Sequence, residues 1–363
     1  MPDLLAVWDR FEPQRFLDEA WQARPLLVRG WLRPEPLSRK KLLDAAGRGD
    51  LGARLVRGRR RDANWRVDYA PFPGNEVPIS GSPDWTLLIQ DLDKIIPQVN
   101  EITKDFSFLP GWLVDDVMVS QAGPGGSVGP HVDAYDVFLV QAAGNRRWEL
   151  AARFDPALDP DFELAVLKNF NPETSRIAEP GDVLYLPAGI AHHGIAEADC
   201  QTWSVGLRSP SAAELLAELA AWRSDSENNL PRLNPRDFDR EAPDRLDAGL
   251  IAQARALLNQ AVEMNDGAMA EWLGRTLTGY RLWEPGEDAA PPAGLALRPG
   301  CRLAWHDSGR LFIDGTAIDC PADLARELCR RRRLPPNWAD HGAWRNAITW
   351  LREAGYLANP LAD

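Results

Sequence analysis

His131 and Asp133 stand two residues apart in Gly129-Pro130-His131-Val132-Asp133, and a distant histidine, His192, closes Pro187-Ala188-Gly189-Ile190-Ala191-His192. Residues two apart on an extended strand point to the same side, so His131 and Asp133 can project together while Val132 faces away. Two imidazoles and one carboxylate can occupy one face of an octahedral Fe(II), leaving the opposite face to a cosubstrate and O2. The chain has five histidines, and three fall in these two windows. The competing readings are a structural histidine beside a capping aspartate, and a Zn(II) site. Structural zinc sites, however, close with four ligands and often use cysteine. The His192-His193 doublet leaves the third ligand open. The Pro-x-Gly-x-x-His spacing favours His192, and His193 is then a neighbour facing substrate or solvent, or a hydrogen-bond partner.

An iron held by one carboxylate keeps net positive charge and favours an anionic chelator. A 2-oxoacid bound through its keto oxygen and one carboxylate needs a second cation at its far end. Arg146 is the candidate, because arginine offers bidentate geometry to a carboxylate. In Gly144-Asn145-Arg146-Arg147-Trp148-Glu149, strand alternation places Arg146 with the bulky Trp148 and Arg147 with Glu149. The tryptophan face is the interior one, so Arg146 is preferred to Arg147. A surface role for Arg146 is the alternative.

The elements needed to position these groups are legible nearby. Short β-branched or aromatic runs broken by Gly, Pro, Asn and Asp predict strands at Val117–Ser120, Val137–Ala142, Arg146–Ala151, Val183–Leu186 and Thr202–Leu207. Many short strands indicate a barrel or sandwich rather than a parallel α/β sheet. The Gly-rich lead-in from Gly123 to Pro130 lets backbone approach the site. Upstream, Phe16 and Trp21 suggest a helix beside the extended segment Pro25–Gly30.

Past Ser211 the pattern becomes helical at Ala212–Trp222 and Leu246–Val262, around the polar stretch Arg223–Glu241. These helices either cap the β-core or form a subunit contact. A Pro-rich linker, Glu284–Pro299, precedes a hairpin of Arg302–Trp305 and Arg310–Ile313, then helical patterns at Ala322–Arg331 and Ala343–Ala354. Two helices beside a hairpin suggest a winged-helix-like module. Its run Arg330-Arg331-Arg332-Arg333 suits either nucleic acid or, more simply, a helix C-terminus.

Composition narrows the classes. Of 363 residues, 45% are apolar and 26% charged, ordinary for a water-soluble chain. No apolar run reaches membrane-spanning length and no signal peptide is apparent, so a cytoplasmic location is expected. Cys200, Cys301, Cys320 and Cys329 lack C-x-x-C spacing and read as reduced thiols. A net charge of −12 disfavours direct nucleic-acid binding and suits a basic protein partner.

Gly129–Asp133, Gly144–Trp148, Pro180-Gly181-Asp182-Val183-Leu184-Tyr185 and Pro187–His192 together resemble the JmjC-type 2-oxoglutarate oxygenases. More narrowly, they resemble the bacterial ribosomal-protein hydroxylases acting on an arginine of large-subunit protein L-sixteen. Ala188 and Ala191 depart from that pattern, where a proline or bulkier residue is common, and the doubled histidine is a second departure. The resemblance implies a mainly β fold: a cupin-like double-stranded β-helix over 1–208, a helical dimerisation region over 209–265 and a winged-helix-like domain over 266–363. It implies Fe(II), 2-oxoglutarate and O2, a homodimer, and a basic ribosomal protein as substrate. His131, Asp133 and His192 match the iron ligands, and Arg146 matches the cosubstrate's basic partner. A cationic side chain would need an acid and an aromatic or apolar wall. Asp116, Met118 and Tyr135 share inward faces and are the expected substrate residues. Asp116 is expected just before the strand, and plain turn or core roles for Asp116 and Met118 are the alternative. Other readings are an oxygenase of another protein residue or small molecule, a metal-binding regulator using the winged-helix-like domain, and an inactive cupin scaffold.

Overall fold

Period-two alternation organises the strand-rich unit. In β6 (Val114–Ala122), Val117 and Val119 enter an apolar core, while Asp116, Met118 and Ser120 face a cavity. The computed structural model describes residues 4–58, 65–72, 76–226, 232–233, 242, 244–280, 292–338 and 341–358. Strands preceding β6 are β1 (Ala6–Trp8), β2 (Leu26–Val28), β3 (Ala53–Arg57), β4 (Arg66–Tyr69) and β5 (Trp85–Ile89). Those following are β7 (His131–Val132), β8 (Asp136–Ala143), β9 (Arg146–Ala151), β10 (Thr174–Ala178), β11 (Val183–Leu186), β12 (Ala191–Ala196) and β13 (Cys200–Leu207). One sheet runs β1-β2-β11-β8-β13-β6-β5-β3-β4 and a smaller one runs β10-β9-β12-β7. Both sheets line the same cavity, as in a double-sheet β-barrel.

Helices α1 (Pro13–Glu19), α2 (Arg39–Ala46), α3 (Leu92–Ile95) and α4 (Pro97–Asn100) belong to this unit. The core on the far side of the large sheet is aromatic: Phe16 meets Tyr185 edge-on at 4.8 Å, and Phe138 lies 4.9 Å from the same ring. Such pairs add roughly 0.5–1.5 kcal/mol beyond their area. The buried Tyr185 hydroxyl is satisfied by Asp136 and by Gln22 N, so the core is locked in register.

The chain divides into two compact units: residues 1–208 with 283–300 and 355–363, and residues 209–282 with 301–354. The second contains α5 (Ala212–Ser226), α6 (Ala248–Val262), α7 (Asp266–Gly279), α8 (Ala322–Arg331) and α9 (Arg345–Glu353). Asp247 caps α6 by accepting from Leu250 N at 2.8 Å, and Asn265 caps α7 through Ala268 N at 2.9 Å. An antiparallel sheet of β14 (Leu303–His306), β15 (Arg310–Ile313) and β16 (Thr316–Asp319) packs against α7 and α8.

The expected strands and helices appear with slightly longer strands and shifted helix ends. The structure adds β1, β3, β4, β5, β10, β12, β16, α3, α4 and α7, which local patterning did not indicate. Asp116 lies inside β6 rather than before it. Most of Arg223–Glu241 and residues 284–291 of the linker lie outside the described residues. Among the described residues, no helix is long and apolar enough to cross a membrane.

Candidate metal centre and its cavity

Cross-strand pairing brings the two sequence windows together. β12 pairs antiparallel with β7 so that His192 is directly opposite His131, and the rings lie 4.2 Å apart. Asp133 falls just past β7. Its carbonyl accepts from Gly189 N at 2.9 Å, tying the loop after β7 to the turn before β12. Nε2 of His192 is 3.6 Å and Nε2 of His131 is 4.0 Å from Asp133 Oδ2. Ligand atoms of all three residues lie within 4.8 Å of one another, close enough to touch one ion.

Both imidazoles are held in the tautomer a metal needs. Nδ1 of His131 lies 3.0 Å from Gly129 O, and Nδ1 of His192 lies 3.0 Å from Ile190 O. A carbonyl only accepts, so each Nδ1 carries the proton and each Nε2 presents its lone pair. Burial, reinforced by His131, lowers the His192 pKa to about 4, so that ring is neutral at pH 7. His193 projects from the other face of β12, 3.3 Å from Glu149 Oε2. The geometry therefore brings His192, not His193, to the cluster.

The cavity beside the triad encloses about 290 Å³ and has two chemically opposite ends. At one end Arg146, only 6% exposed, donates from Nη1 to Ser120 Oγ at 3.3 Å. At the other sits Asp116, four residues back along β6, or roughly 13 Å at the usual strand rise. Trp148 lies between Arg146 and His192, its ring 6.1 Å from the histidine. Gly194 makes this possible: a Cβ there would come within 2.6 Å of the Trp148 ring. Arg147 faces away, ion-paired to Glu197 at 2.8 Å and to Glu149.

Three polar atoms lining this cavity, Thr86 Oγ1, Arg146 Nε and Trp148 Nε1, are buried without a hydrogen-bond partner among the described residues. Buried donors left unmatched are costly, so these groups await an acceptor. An anion spanning from the triad to Arg146 supplies one, and the two-histidine, one-carboxylate set fits a divalent metal. Donors and metal ligands are thus matched to a metal-chelated dicarboxylate.

At the acid end, burial, followed by Asp93 and Asp91, pushes the Asp116 pKa up to about 7, while Lys94 opposes the shift. Asp91 N donates to Asp116 Oδ2 at 3.3 Å. Met118 and Tyr135 also line the cavity. All seven site residues read from the sequence therefore border one space. Thr86, Ser120, Gly194 and Gly206 were not anticipated, because only the pairing of β5 and β13 with β6, and of β12 with β9, brings them there.

A partly buried His-x-Asp/His cluster inside a double-sheet β-barrel is what a JmjC domain carries, and the JmjC domain family matches residues 101–215. The chain is 30% identical over 330 residues to the ribosomal protein uL16 3-hydroxylase of Escherichia coli, covering 84% of this chain and 85% of that one. It is 35% identical over 238 residues to a probable ribosomal oxygenase of Haemophilus influenzae; that match covers 64% of this chain and 57% of the relative. A solved structure of the E. coli ribosomal oxygenase YcfD with cobalt and 2-oxoglutarate superimposes with a TM-score of 0.78 at 25% identity, over 96% of this chain and 98% of that one. This chain belongs to the JmjC-domain ribosomal oxygenases.

Proposed function

We propose that this protein is an Fe(II)- and 2-oxoglutarate-dependent hydroxylase of an arginine side chain in ribosomal protein uL16, releasing succinate and CO2 and acting in the cytoplasm. The observation that carries the reading is the polarity of the cavity: a three-ligand cluster stands beside a buried Arg146 with its Nε unpaired among the described residues at one end and a half-buried Asp116 at the other. His131, Asp133 and His192 would hold the metal. Arg146 would receive the distal carboxylate of 2-oxoglutarate, supported by Ser120. With O2, the bound iron and 2-oxoglutarate supply the oxidising power for inserting oxygen into a C–H bond. The chain's own part is to orient both substrates and exclude water. Mass spectrometry of a uL16 fragment after incubation should show the gain of one oxygen, dependent on 2-oxoglutarate. An unmodified fragment contradicts the substrate assignment.

In this reading Asp116 pairs with the cationic side chain while Tyr135 and Met118 form its walls. Pairing needs the ionised carboxylate. Asp116 is raised to about 7 within a group comprising Asp91, Asp93, Asp115 and Lys94, so its charged form grows as pH rises through 7. The KM for the fragment should therefore fall by up to about tenfold between roughly pH 6 and pH 8. Asp116→Asn should raise KM by about 100-fold and flatten that profile. A pH dependence surviving in the variant would assign it to another group.

We further propose a homodimer built on the 209–265 segment, and a winged-helix-like fold for 266–363. Helix α6 buries none of its residues among those described, yet Ile251 is 51% and Leu258 69% exposed. An apolar helix this exposed suits a second copy. Sedimentation should give a dimer that Leu258→Glu dissociates, whereas a monomeric wild type refutes it. Three of the four arginines in the run have partners within the chain: Arg330 and Arg331 pair with Glu327, and Arg332 donates to Cys301 O at 2.6 Å.

A further inference from the structure

Gly206 faces the cavity from β13, directly opposite Asp116 in strand register. A Cβ built there would lie 3.1 Å from Asp116 Oδ1 and 3.8 Å from Tyr135 Cε2. Its φ is not in the left-handed region, so the backbone does not demand glycine. The absent side chain is what matters, because it leaves the carboxylate and the ring facing each other across an open slot. The pairing of β13 with β6 shifts register between Gly206 and Leu207, a bulge that re-aims the residues following it.

Arg208 follows directly. Its guanidinium lies 4.4 Å from the Tyr135 ring centroid, and its Nε is 3.3 Å from Asp115 Oδ2. Arg208 is not among the residues lining the cavity, so it covers the tyrosine from outside. Neighbouring positions on β6 point to opposite sides, sending Asp115 to Arg208 and Asp116 into the slot. The molecule thus already holds one cation against this ring with its own carboxylate. Inside the cavity, the same ring and the next carboxylate are offered to a second cation.

We propose that Gly206 determines substrate specificity by setting the depth of the slot between Asp116 and Tyr135, and that Arg208 is a positioning residue holding the Tyr135 ring as its wall. The slot admits a long, flat cationic side chain and excludes one that would need the space more widely open. This rests on the cationic-substrate reading given above.

The test compares hydroxylation kinetics on a uL16 fragment for wild type, Gly206→Ala, Arg208→Met and Arg208→Lys. Calorimetry with Mn(II) under nitrogen gives the Kd for 2-oxoglutarate in parallel. One added methyl in a fitted pocket should raise the fragment KM of Gly206→Ala by about tenfold or more, with kcat and cosubstrate Kd within about twofold. Arg208→Met should raise KM several-fold, and Arg208→Lys, which keeps the cation over the ring, should restore most of it. An unchanged KM in Gly206→Ala overturns the slot, and loss of cosubstrate binding in that variant overturns it too, by revealing a general collapse of the cavity. An unchanged KM in Arg208→Met, or no rescue by lysine, overturns the positioning role. A wild type that binds 2-oxoglutarate but leaves the fragment unmodified overturns the substrate reading, and this proposal with it.

Discussion

His131→Ala should abolish hydroxylation, lowering turnover by at least about 10³-fold, the scale expected when an essential group at the reacting centre is lost. The fold should survive. His131 is partly exposed, and among the described residues its ring is held by a bond to Gly129 O, by Asp133 Oδ2 at 4.0 Å and by contact with the His192 ring. The loss is specific because Nε2 of His131 is one of three atoms converging within 4.8 Å. With one gone, two ligands remain, too few to hold a divalent ion against dialysis. Metal analysis after dialysis checks this directly: wild type should retain about one equivalent of added Mn(II) and the variant almost none. Activity persisting in the variant would mean that the cluster is not the centre.

Arg146→Ala should separate the cosubstrate from the metal. A buried arginine meeting a carboxylate through charge-assisted bonds contributes about 1.5–3 kcal/mol per bond, so two bonds predict a 2-oxoglutarate Kd raised by about 10²-fold or more. Metal affinity should stay within about twofold, because Arg146 approaches none of the three ligands. Its nearest described partners are Ser120 Oγ at 3.3 Å and the Trp148 ring at 5.5 Å. Arg147→Ala provides the contrast. Arg147 sits on the opposite face with Glu197 and Glu149, so its loss should leave cosubstrate binding unchanged. Equal weakening of metal and cosubstrate in Arg146→Ala would remove its assigned place.

The triad was legible in the sequence because its spacing is local. His131 and Asp133 are two apart, and a Gly turn announces His192. Arg146 was legible because a tryptophan two residues on marks which face is interior. The two-residue length of β7 was not legible. Asp133 reaches the cluster from beyond the strand, placed by the Gly189 N bond to its carbonyl. Thr86, Ser120 and Gly206 were invisible for a different reason: they reach the cavity together only through the register of β5 and β13 on β6, which no short window contains. In the fold, β3 and β4 escaped notice because Arg54, Arg57, Arg66 and Asp68 interrupt them near the sheet edge, where charged residues are tolerated. Helix α7 carries Gly267, Gly274 and Gly279, which weaken a helical pattern. Gly274 is explained by packing, since a Cβ there would come within 2.4 Å of the Phe312 ring.

Anaerobic addition of Fe(II) and then 2-oxoglutarate, followed by visible absorption, tests the central claim most directly. A metal held by His131, Asp133 and His192 and chelated by a 2-oxoacid anchored on Arg146 predicts a charge-transfer band that needs both additions and is lost in His131→Ala. Absence of the band in the wild type, or its persistence in His131→Ala, would contradict the account.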